Sequence, residues 1–426
     1  MTLRRSAGVL GITAMSIAML SGCSQGEDRA GESLKLWHYE NETSAMGIAW
    51  DRAIEIFEEE TGVPVEFEER SFEQIRQTAS QVINSDEAPD ILEYNKGNAT
   101  AGLLASQGLL EPLDGAVEEY GWDSKLAESL QTTSRYDEDG VMGSGSWYGI
   151  PTYGEFTMMY YNTEMLDEYG LEVPETVEEL ESVMQAFVDE GVTPLAQAAS
   201  EYPLGQLWYQ LALTQADQQW VNDFQIYENP VDFEGPELAY ASETLDEWLD
   251  DGYISEDSTG LTAEDAGTAF INGTYPMFFS GSWWYGRFLE EVDQDWETAL
   301  FPNEGMSPGS SGNLWVVPEA SQNKDLAYEF IDITLRAEIQ ALMGNSGGVP
   351  VAAEEADITD EESLALVENF NTLLDRDGLA FYPDWPTPTF YDDLNAGLQG
   401  LVNGGLDPDA MNAQIAEDYE SGIPQD

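Results

Sequence analysis

The sequence contains one cysteine, Cys23, and one histidine, His38, among its 426 residues. One cysteine cannot form an intramolecular disulfide, and metal sites built on thiolate or imidazole ligands need several such residues. A phosphate loop of the Walker type is also absent from the sequence. We therefore expect neither a metal ion nor a cofactor in this protein.

Basic residues are scarce as well: 14 Lys and Arg stand against 83 Asp and Glu, which gives a formal net charge of −69. Such a charge repels phosphate, so we expect no nucleic-acid partner. The acidic residues are spread along the chain, as in EIFEEETG (55–62) and SETLDEWLDD (242–251). They could select a cationic ligand or keep the protein soluble at high salt. Their dispersion favours solubility in a saline habitat, because a cation site needs only a few neighbouring carboxylates.

The N-terminal segment has the three-part layout of a secretory signal. Two arginines within residues 1–5 precede an uncharged, mostly apolar run over 6–20, which is short for a membrane span. Leu-Ser-Gly-Cys follows and resembles the bacterial lipobox, in which cleavage before the cysteine lets its sulfur carry diacylglycerol. We therefore expect a signal peptide over 1–22, a lipidated Cys23 at the start of a flexible tether to residue 33, and a protein anchored in the cell membrane on its extracytoplasmic face. The arginine pair leaves both Sec and twin-arginine export open.

Strand and helix patterns alternate in the first part of the mature chain. In chain order they are strand 34–39, helix 44–62, strand 63–69, helix 71–85 and strand 89–95. This alternation predicts an α/β fold with a parallel sheet and right-handed crossovers. In such sheets ligands bind beyond the carboxyl ends of the strands, which here are the polar and aromatic stretches WHYEN (37–41) and EYNKGN (93–98).

The rest of the chain continues the mixed pattern. We expect a hairpin over 136–151, a strand over 155–162, a helix-rich region to about 275, a strand over 313–318 and one helix over 325–344. Trp208 stands at helical spacing among leucines, so we expect it in the core.

An ordered set of short stretches resembles the extracellular solute-binding proteins of ABC importers, specifically the sugar-binding group that includes maltose-binding protein. The stretches are PDI (89–91), YGIP (148–151), MMYYN (158–162), AFINGTYPMFFSGSWW (269–284), KDLAYEFIDITL (324–335) and GNSGGVPV (344–351). The resemblance implies a two-lobe, periplasmic-binding-protein-like α/β fold with an interlobe ligand cleft and a hinge. Lobe 1 would hold 34–150 and about 281–345, and lobe 2 would hold 151–280 and about 346–426. The implied function is capture of a sugar or short oligosaccharide for delivery to the permease subunits of an ABC transporter, without catalysis.

The stretch FFSGSWWYG (278–286) suggests where a sugar would bind. An aromatic face can cover the C–H patch of a sugar ring while the hydroxyls form hydrogen bonds at its edge. The resemblance places Trp283 in the cleft, and if the segment is extended Trp284 points the other way, into the core. The resemblance also matches Glu155 to a sugar-binding carboxylate. The remaining expected ligand-binding residues are His38, Tyr39, Tyr94, Asn95, Tyr153, Trp315, Gly348 and Trp385.

Two alternatives stay open at this point. The same fold could bind a polyamine or another cationic solute, since the protein is so acidic. A secreted glycoside hydrolase needs only two carboxylates, so composition does not exclude one. The motif GNSGG (344–348) matches the serine-hydrolase pattern G-x-S-x-G, but that pattern needs a strand before it and a helix after it, and the predicted order here is the reverse.

Overall fold

The computed structural model describes residues 33–85, 87–302, 305–353 and 357–424. The predicted signal peptide, Cys23 and residues 24–32 of the expected tether lie outside the described residues. Within the described ranges, no helix is both long enough and apolar enough to cross a lipid bilayer.

Short strands and α-helices alternate through most of the described chain. The strands are β1 Leu34–His38, β2 Val65–Glu69, β3 Ile91–Tyr94, β4 Arg135–Tyr136, β5 Ser146–Trp147, β6 Ile150–Pro151, β7 Tyr153–Asn162, β8 Leu195–Ala196, β9 Met277–Gly281, β10 Trp296–Ala299, β11 Gly309–Ser311, β12 Leu314–Val316 and β13 Val349–Pro350. The α-helices are α1 Ala45–Thr61, α2 Phe72–Val82, α3 Leu103–Ser106, α4 Asp114–Tyr120, α5 Thr163–Tyr169, α6 Val177–Asp189, α7 Pro203–Leu213, α8 Gln218–Ile226, α9 Pro236–Asp250, α10 Ala263–Ile271, α11 Tyr285–Glu291, α12 Lys324–Thr334, α13 Ala337–Asn345, α14 Glu361–Asp375, α15 Phe390–Val402 and α16 Pro408–Gly422.

Capping residues fix the ends of the first two helices. Ser44 precedes α1, and its hydroxyl accepts a hydrogen bond from the Gly47 amide. Gly62 ends this helix in the left-handed conformation, with φ 71°, which glycine adopts without steric cost. Ser71 forms a reciprocal capping box at the start of α2. Both predicted helices are confirmed.

The first sheet has the strand order β2-β1-β3-β12-β6. β1 is parallel to both β2 and β3, as strand–helix–strand connections require, whereas β12 is antiparallel to β3. β12 carries Trp315, whose buried ring packs against Trp50 of α1 and Phe330 of α12 at centroid distances of 5.3 and 5.4 Å. The predicted parallel arrangement of the first three strands is confirmed.

The second sheet is built around β7, which pairs with four other strands. It lies between β10 and β9, and its first residues pair with β11 and β13. Helix α7 packs against β9, and its Trp208 is fully buried. The Trp208 Nε1–H donates a hydrogen bond to Ser242 Oγ at 2.8 Å, which ties α7 to α9. The prediction that Trp208 belongs to the core is confirmed.

The chain passes between the two sheets repeatedly, for example between β12 and β13, and three other crossings are important for the cleft. β6 lies in the first sheet and β7 in the second, so the first crossing is at Thr152. β11 pairs with β7 and β12 with β3, so the second crossing is at residues 312–313. In the third crossing Phe381 bridges to β11, whereas the Trp385 carbonyl accepts a hydrogen bond from Ala99 N, just after β3, at 2.9 Å. Each sheet thus forms the centre of one lobe, with a cleft between the lobes.

Two of the sequence-based boundaries need correction. The segment 281–345, expected in lobe 1, contributes to both sheets, because β10 pairs with β7 of the second sheet. The single helix expected over 325–344 is two helices, α12 and α13. The helix breaks because Arg336 takes an extended conformation, with φ −72° and ψ 144°. For the other segments the assignment to lobes stays a prediction.

Candidate ligand-binding cleft

A cavity of about 560 Å³ lies between the two sheets, where the crossings meet the carboxyl end of β3. Its aromatic lining residues are Tyr39, Phe72, Tyr153, Tyr202, Trp283, Trp284, Tyr382 and Trp385. Its acidic lining residues are Glu40, Glu69, Glu73, Glu155, Glu201, Glu264 and Asp384. The other lining residues are Asn41, Ser44, Ser71, Asn95, Gln206, Thr262, Ala263, Arg287 and Asn313. Aromatic faces combined with hydrogen-bonding groups suit a small ligand that has both polar and apolar surface.

Trp283 is a partly exposed aromatic residue in the wall of the cavity. Strand β9 ends at Gly281, where a Cβ atom would overlap the Trp283 ring, so glycine lets the indole lie against the backbone. The Tyr202 ring lies 6.0 Å from the Trp283 ring and the Tyr382 ring lies 6.4 Å from it, measured between centroids. Tyr202 follows the second sheet's β8 and Tyr382 belongs to the third crossing, so the aromatic group joins separate parts of the chain.

Trp284 packs on the other side of the same turn. Its ring lies 5.7 Å from the Phe278 ring and 5.5 Å from the Phe288 ring, and the residue is only 6% exposed, although it also borders the cavity. The two tryptophans therefore do have different surroundings. The expected extended geometry is wrong, however, because Ser282–Trp284 is a turn of 3-10 helix. Successive side chains in such a turn diverge by about 120°, which separates the two indoles without a strand.

Lys96 places a buried ammonium group at the inner end of the cavity. It forms an ion pair with Glu155, and the two side chains are 2% and 7% exposed. Its Nζ also donates to Asn313 Oδ1 at 3.0 Å. Asn313 Nδ2 donates to the Tyr153 hydroxyl at 3.1 Å, and that hydroxyl donates to Glu93 Oε1 at 3.0 Å. This network connects β3 of the first sheet to β7 and to the second crossing.

Carboxylates outnumber cations in this buried network. Glu40, Glu93 and Glu155 are all buried, and Lys96 is the cation among them. Burial raises the pKa of Glu40 to about 7, and the charge of Glu155 adds to that effect. Burial also raises the pKa of Glu93 well above its usual range, with the Glu40 charge as a further cause. Desolvation raises the pKa of Asp384 to about 6.

Six of the ten expected ligand-binding residues line the cavity together. They are Tyr39, Asn95, Tyr153, Glu155, Trp283 and Trp385. Tyr39 and Asn95 follow β1 and β3 directly, so the expectation of a site beyond the carboxyl ends of these strands agrees with the position of the cavity. Whether these six residues contact a ligand stays a prediction.

The first two expected residues that lie outside the cavity lining are His38 and Tyr94. The His38 ring is buried and stacks on Phe67 at 4.2 Å between centroids, and its Nδ1 accepts a hydrogen bond from Glu40 N at 3.2 Å. Burial lowers the pKa of His38 to about 3, so the imidazole is neutral. Tyr94 is buried in the core beside the first sheet. Successive side chains of a strand alternate, so Tyr39 and Asn95 reach the cavity while the residue before each turns away.

Trp315 and Gly348 also lie outside the lining. Trp315 is 1% exposed between α1 and α12, and it therefore packs in the core of the first lobe. A Cβ atom at Gly348 would lie 2.7 Å from Met343 Cγ and 2.9 Å from Ala45 Cβ. Glycine at this position permits close packing beside α1.

Several residues of the site were missed by sequence reasoning. Lys96 stands in the stretch EYNKGN already noted at the end of β3, and a lone cation at a strand end in so acidic a chain is a usable signal. Tyr382 is three residues before the expected Trp385, and Asn313 is the first residue of the strand predicted over 313–318, directly before the observed β12. Tyr202 carries no local signal, because it comes close to Trp283 through the parallel pairing of β8 with β9, which the sequence does not reveal.

The described residues also bear on metal binding and on serine-hydrolase chemistry. In the described part of the chain, no group of three or more His, Cys, Asp or Glu side chains is placed to hold a metal ion. The serine of GNSGG, Ser346, follows helix α13 and precedes strand β13, which is the reverse of the order that a serine hydrolase needs.

The raised pKa of Glu40 predicts a pH dependence of stability. Because the folded-state pKa of about 7 exceeds the usual 4.5, folding favours the protonated carboxyl. The stabilisation is complete below pH 4.5 and is lost as the pH rises through 7. Without ligand, Glu40→Gln should therefore become more stable than the wild type as the pH rises from 5 to 8, by about 1–3 kcal/mol.

Urea unfolding at several pH values between 5 and 8 measures this difference. Glu59→Gln, a change at an exposed glutamate of α1, serves as the control and should show no such trend. A stability difference between Glu40→Gln and wild type that stays constant over this range would contradict the prediction.

Comparison with known proteins gives the family of the chain. Residues 52–368 match the family model described as "Bacterial extracellular solute-binding protein". A "Probable sugar-binding periplasmic protein" of Rhizobium meliloti (strain 1021) is 25% identical over 187 residues, which are 44% of this chain and 43% of that protein. Similar proteins of Brucella are matched over 51% of their length, so the match spans about half of these relatives. The "Multiple sugar-binding protein" of Streptococcus mutans is 21% identical over 359 residues, 82% of each chain.

Solved structures match nearly the whole chain. A chitin oligosaccharide binding protein superposes with a TM-score of 0.77 at 21% identity, covering 92% of this chain and 98% of that one. The solute-binding protein RafE in complex with raffinose gives a TM-score of 0.71 at 18% identity, covering 91% and 99%. At such identities the likeness shows the fold, and the expected two-lobe α/β fold is confirmed. Together with the family model, which covers most of the chain, it leads to one conclusion: this chain belongs to the bacterial extracellular solute-binding proteins.

Proposed function

We propose that this protein captures a sugar or short oligosaccharide in the cleft and delivers it to the permease of an ABC importer. The observation that carries the proposal is the partly exposed Trp283, held between Tyr202 and Tyr382 in the wall of the cavity. A sugar ring offers one apolar face of C–H groups, which a rigid indole covers well. Glu155 and Asn313 supply acceptors and donors for its hydroxyl groups at the inner end.

The names of the relatives support a carbohydrate as the ligand. The R. meliloti and S. mutans proteins are named as sugar-binding, and the structural neighbours include proteins that bind chitin oligosaccharide and raffinose. The relatives therefore support the ligand class, and the choice of sugar is left to binding measurements.

Closure of the two lobes around the ligand is the second part of the proposal. Contacts already bridge the mouth of the cleft: Arg76 of α2 forms an ion pair with Asp392 of α15 at 3.0 Å. The Tyr391 hydroxyl donates to Glu73 of α2 at 2.6 Å. Closure of this kind would bury the sugar and create the surface that the permease recognises, by a hinge at the three crossings.

The cleft residues would bind the carbohydrate without cleaving it. A glycoside hydrolase on this fold is the alternative, and product analysis separates the two functions. After prolonged incubation with a bound oligosaccharide, a binding protein returns it intact, whereas shortened products would establish hydrolysis and contradict this proposal.

A panel of carbohydrates in a thermal-shift assay identifies the ligand, because binding to the folded state raises the apparent stability. With the ligand found, Trp283→Ala should lower its affinity by about 2–4 kcal/mol, the cost of truncating an aromatic residue at the centre of an interface. The melting temperature without ligand should change little, since Trp283 is partly exposed. Isothermal titration calorimetry measures the affinity.

Trp315→Ala is the matched control. This ring is buried away from the cavity, so its removal should destabilise the protein by about 3–5 kcal/mol and leave the affinity of the folded protein unchanged. If Trp283→Ala binds the sugar as tightly as the wild type does, the role of Trp283 as the platform is wrong.

The proposed site of action is the outer face of the cell membrane, with the protein held by lipid on Cys23. Cys23→Ser removes the sulfur that would carry diacylglycerol. We expect this variant to be released in soluble form or to remain as an uncleaved precursor, as judged by detergent partitioning and by the mass of the N-terminal peptide. Wild-type mass and unchanged partitioning of the variant into detergent would contradict the lipid anchor.

A further inference from the structure

The acidic residues of the cleft floor differ from those of the rest of the protein. Acidic side chains that keep a protein soluble have to face solvent, and most acidic side chains on the helices are exposed in this way. Glu40 and Glu155, which line the cavity, are instead 9% and 5% exposed, and Glu93, which accepts a hydrogen bond from Tyr153 of the lining, is 1% exposed. Burying a carboxylate without a counter-charge is expensive, so solubility does not explain these three residues.

The local cations do not balance these carboxylates. Lys96 is paired with Glu155. Arg287, the basic residue of the cavity lining, holds Glu264 through two hydrogen bonds of 2.8 and 2.9 Å and also contacts Glu291 at 3.1 Å. Neither Glu40 nor Glu93 forms an ion pair within the described residues; the Ser44 hydroxyl donates to Glu40 at 3.2 Å, and the Tyr153 hydroxyl donates to Glu93 at 3.0 Å.

Two buried side-chain oxygen atoms near these carboxylates form no hydrogen bond of ordinary geometry within the described chain. They are Glu93 Oε2 and the Tyr382 hydroxyl, and both residues are more than nine-tenths buried. Tyr382 and Glu40 both line the cavity. A ligand that brings N–H donors and a positive charge would form charge-assisted hydrogen bonds with carboxylates at this place, whereas a neutral hydroxyl would form weaker ones.

We propose that the ligand is a carbohydrate that carries a protonated amino group, and that Glu40 receives this ammonium group while Trp283 covers the ring. This inference rests on the proposed sugar-binding function and narrows its ligand class. The aromatic rings of the cavity wall favour such a ligand further, since a cation next to Trp or Tyr faces is attracted by their negative faces. A linear polyamine offers the same ammonium chemistry, but it has no ring face for Trp283.

Matched sugar pairs test the proposal directly. We would titrate the wild-type protein with glucosamine oligomers, with N-acetylglucosamine oligomers of the same length and with spermidine, at low and at high salt. The proposal predicts that the glucosamine oligomers bind at least about tenfold more tightly than their acetylated counterparts. It also predicts that this preference shrinks as salt screens the charges.

Glu40→Gln, which keeps the shape of the side chain, should lower the affinity for glucosamine oligomers by about tenfold, the size expected for losing one charge-assisted hydrogen bond. It should lower the affinity for the acetylated oligomers by a smaller factor, because they bring no positive charge to Glu40. Glu59→Gln should behave as the wild type with every ligand. The melting temperature of each variant shows that it is folded.

The outcomes separate this inference from the function on which it rests. If the acetylated oligomers bind as tightly as the free amines, or if Glu40→Gln weakens both equally, the ammonium site is wrong and the sugar-binding function stands. If spermidine binds more tightly than either sugar and the Trp283→Ala variant retains that binding, both the amino-sugar ligand and the sugar-binding function are wrong.

Discussion

The geometry of the cleft depends on one buried charge, the ammonium group of Lys96. Removing an ammonium ion from water costs several kcal/mol unless it is paired and fully hydrogen-bonded, so its partners have to be held in place. Glu155 comes from β7, just beyond the first crossing, and Asn313 comes from the second crossing. The rings of Tyr382 and Trp385, in the third crossing, lie 5.2 and 5.5 Å from Lys96 Nζ. The Lys96 ammonium group thus contacts residues of, or directly beside, these three crossings. The same segments carry side chains that line the cavity.

The acidic residues of this protein fall into two populations with different physical explanations. Those on helix surfaces, such as Glu58, Glu59 and Glu60 in α1, are solvated, and at a net charge of −69 they keep molecules apart. We attribute them to solubility, and the saline habitat stays a prediction. Those at the cleft floor are buried, and burial raises the pKa of Glu40 and of Glu93. Perturbed pKa values of this kind cluster at functional sites.

Much of the fold could be predicted from the sequence, because its signals are local. Ser44, Ser71 and Gly62 mark helix ends by capping chemistry, and the alternation of strands with helices requires a parallel sheet. The position of the site beyond β1 and β3 was also predictable. The direction of each side chain could not be predicted. Tyr39 and Asn95 line the cavity, whereas their neighbours His38 and Tyr94 are buried away from it. A shift of one residue along a strand moves a side chain to the opposite face of the sheet. Tyr202 could not be found at all, since it reaches Trp283 only through the pairing of β8 with β9, two strands that are far apart in sequence.

The central claim is that the cavity between the lobes is a carbohydrate site with Trp283 as its platform. A crystal structure of the protein with a bound oligosaccharide tests this claim most directly. We expect a sugar ring stacked on Trp283 between Tyr202 and Tyr382, with polar groups of the ligand within hydrogen-bonding distance of Glu40 or Glu155. A carbohydrate bound outside this cavity, or bound inside it without contact to Trp283, would contradict the account.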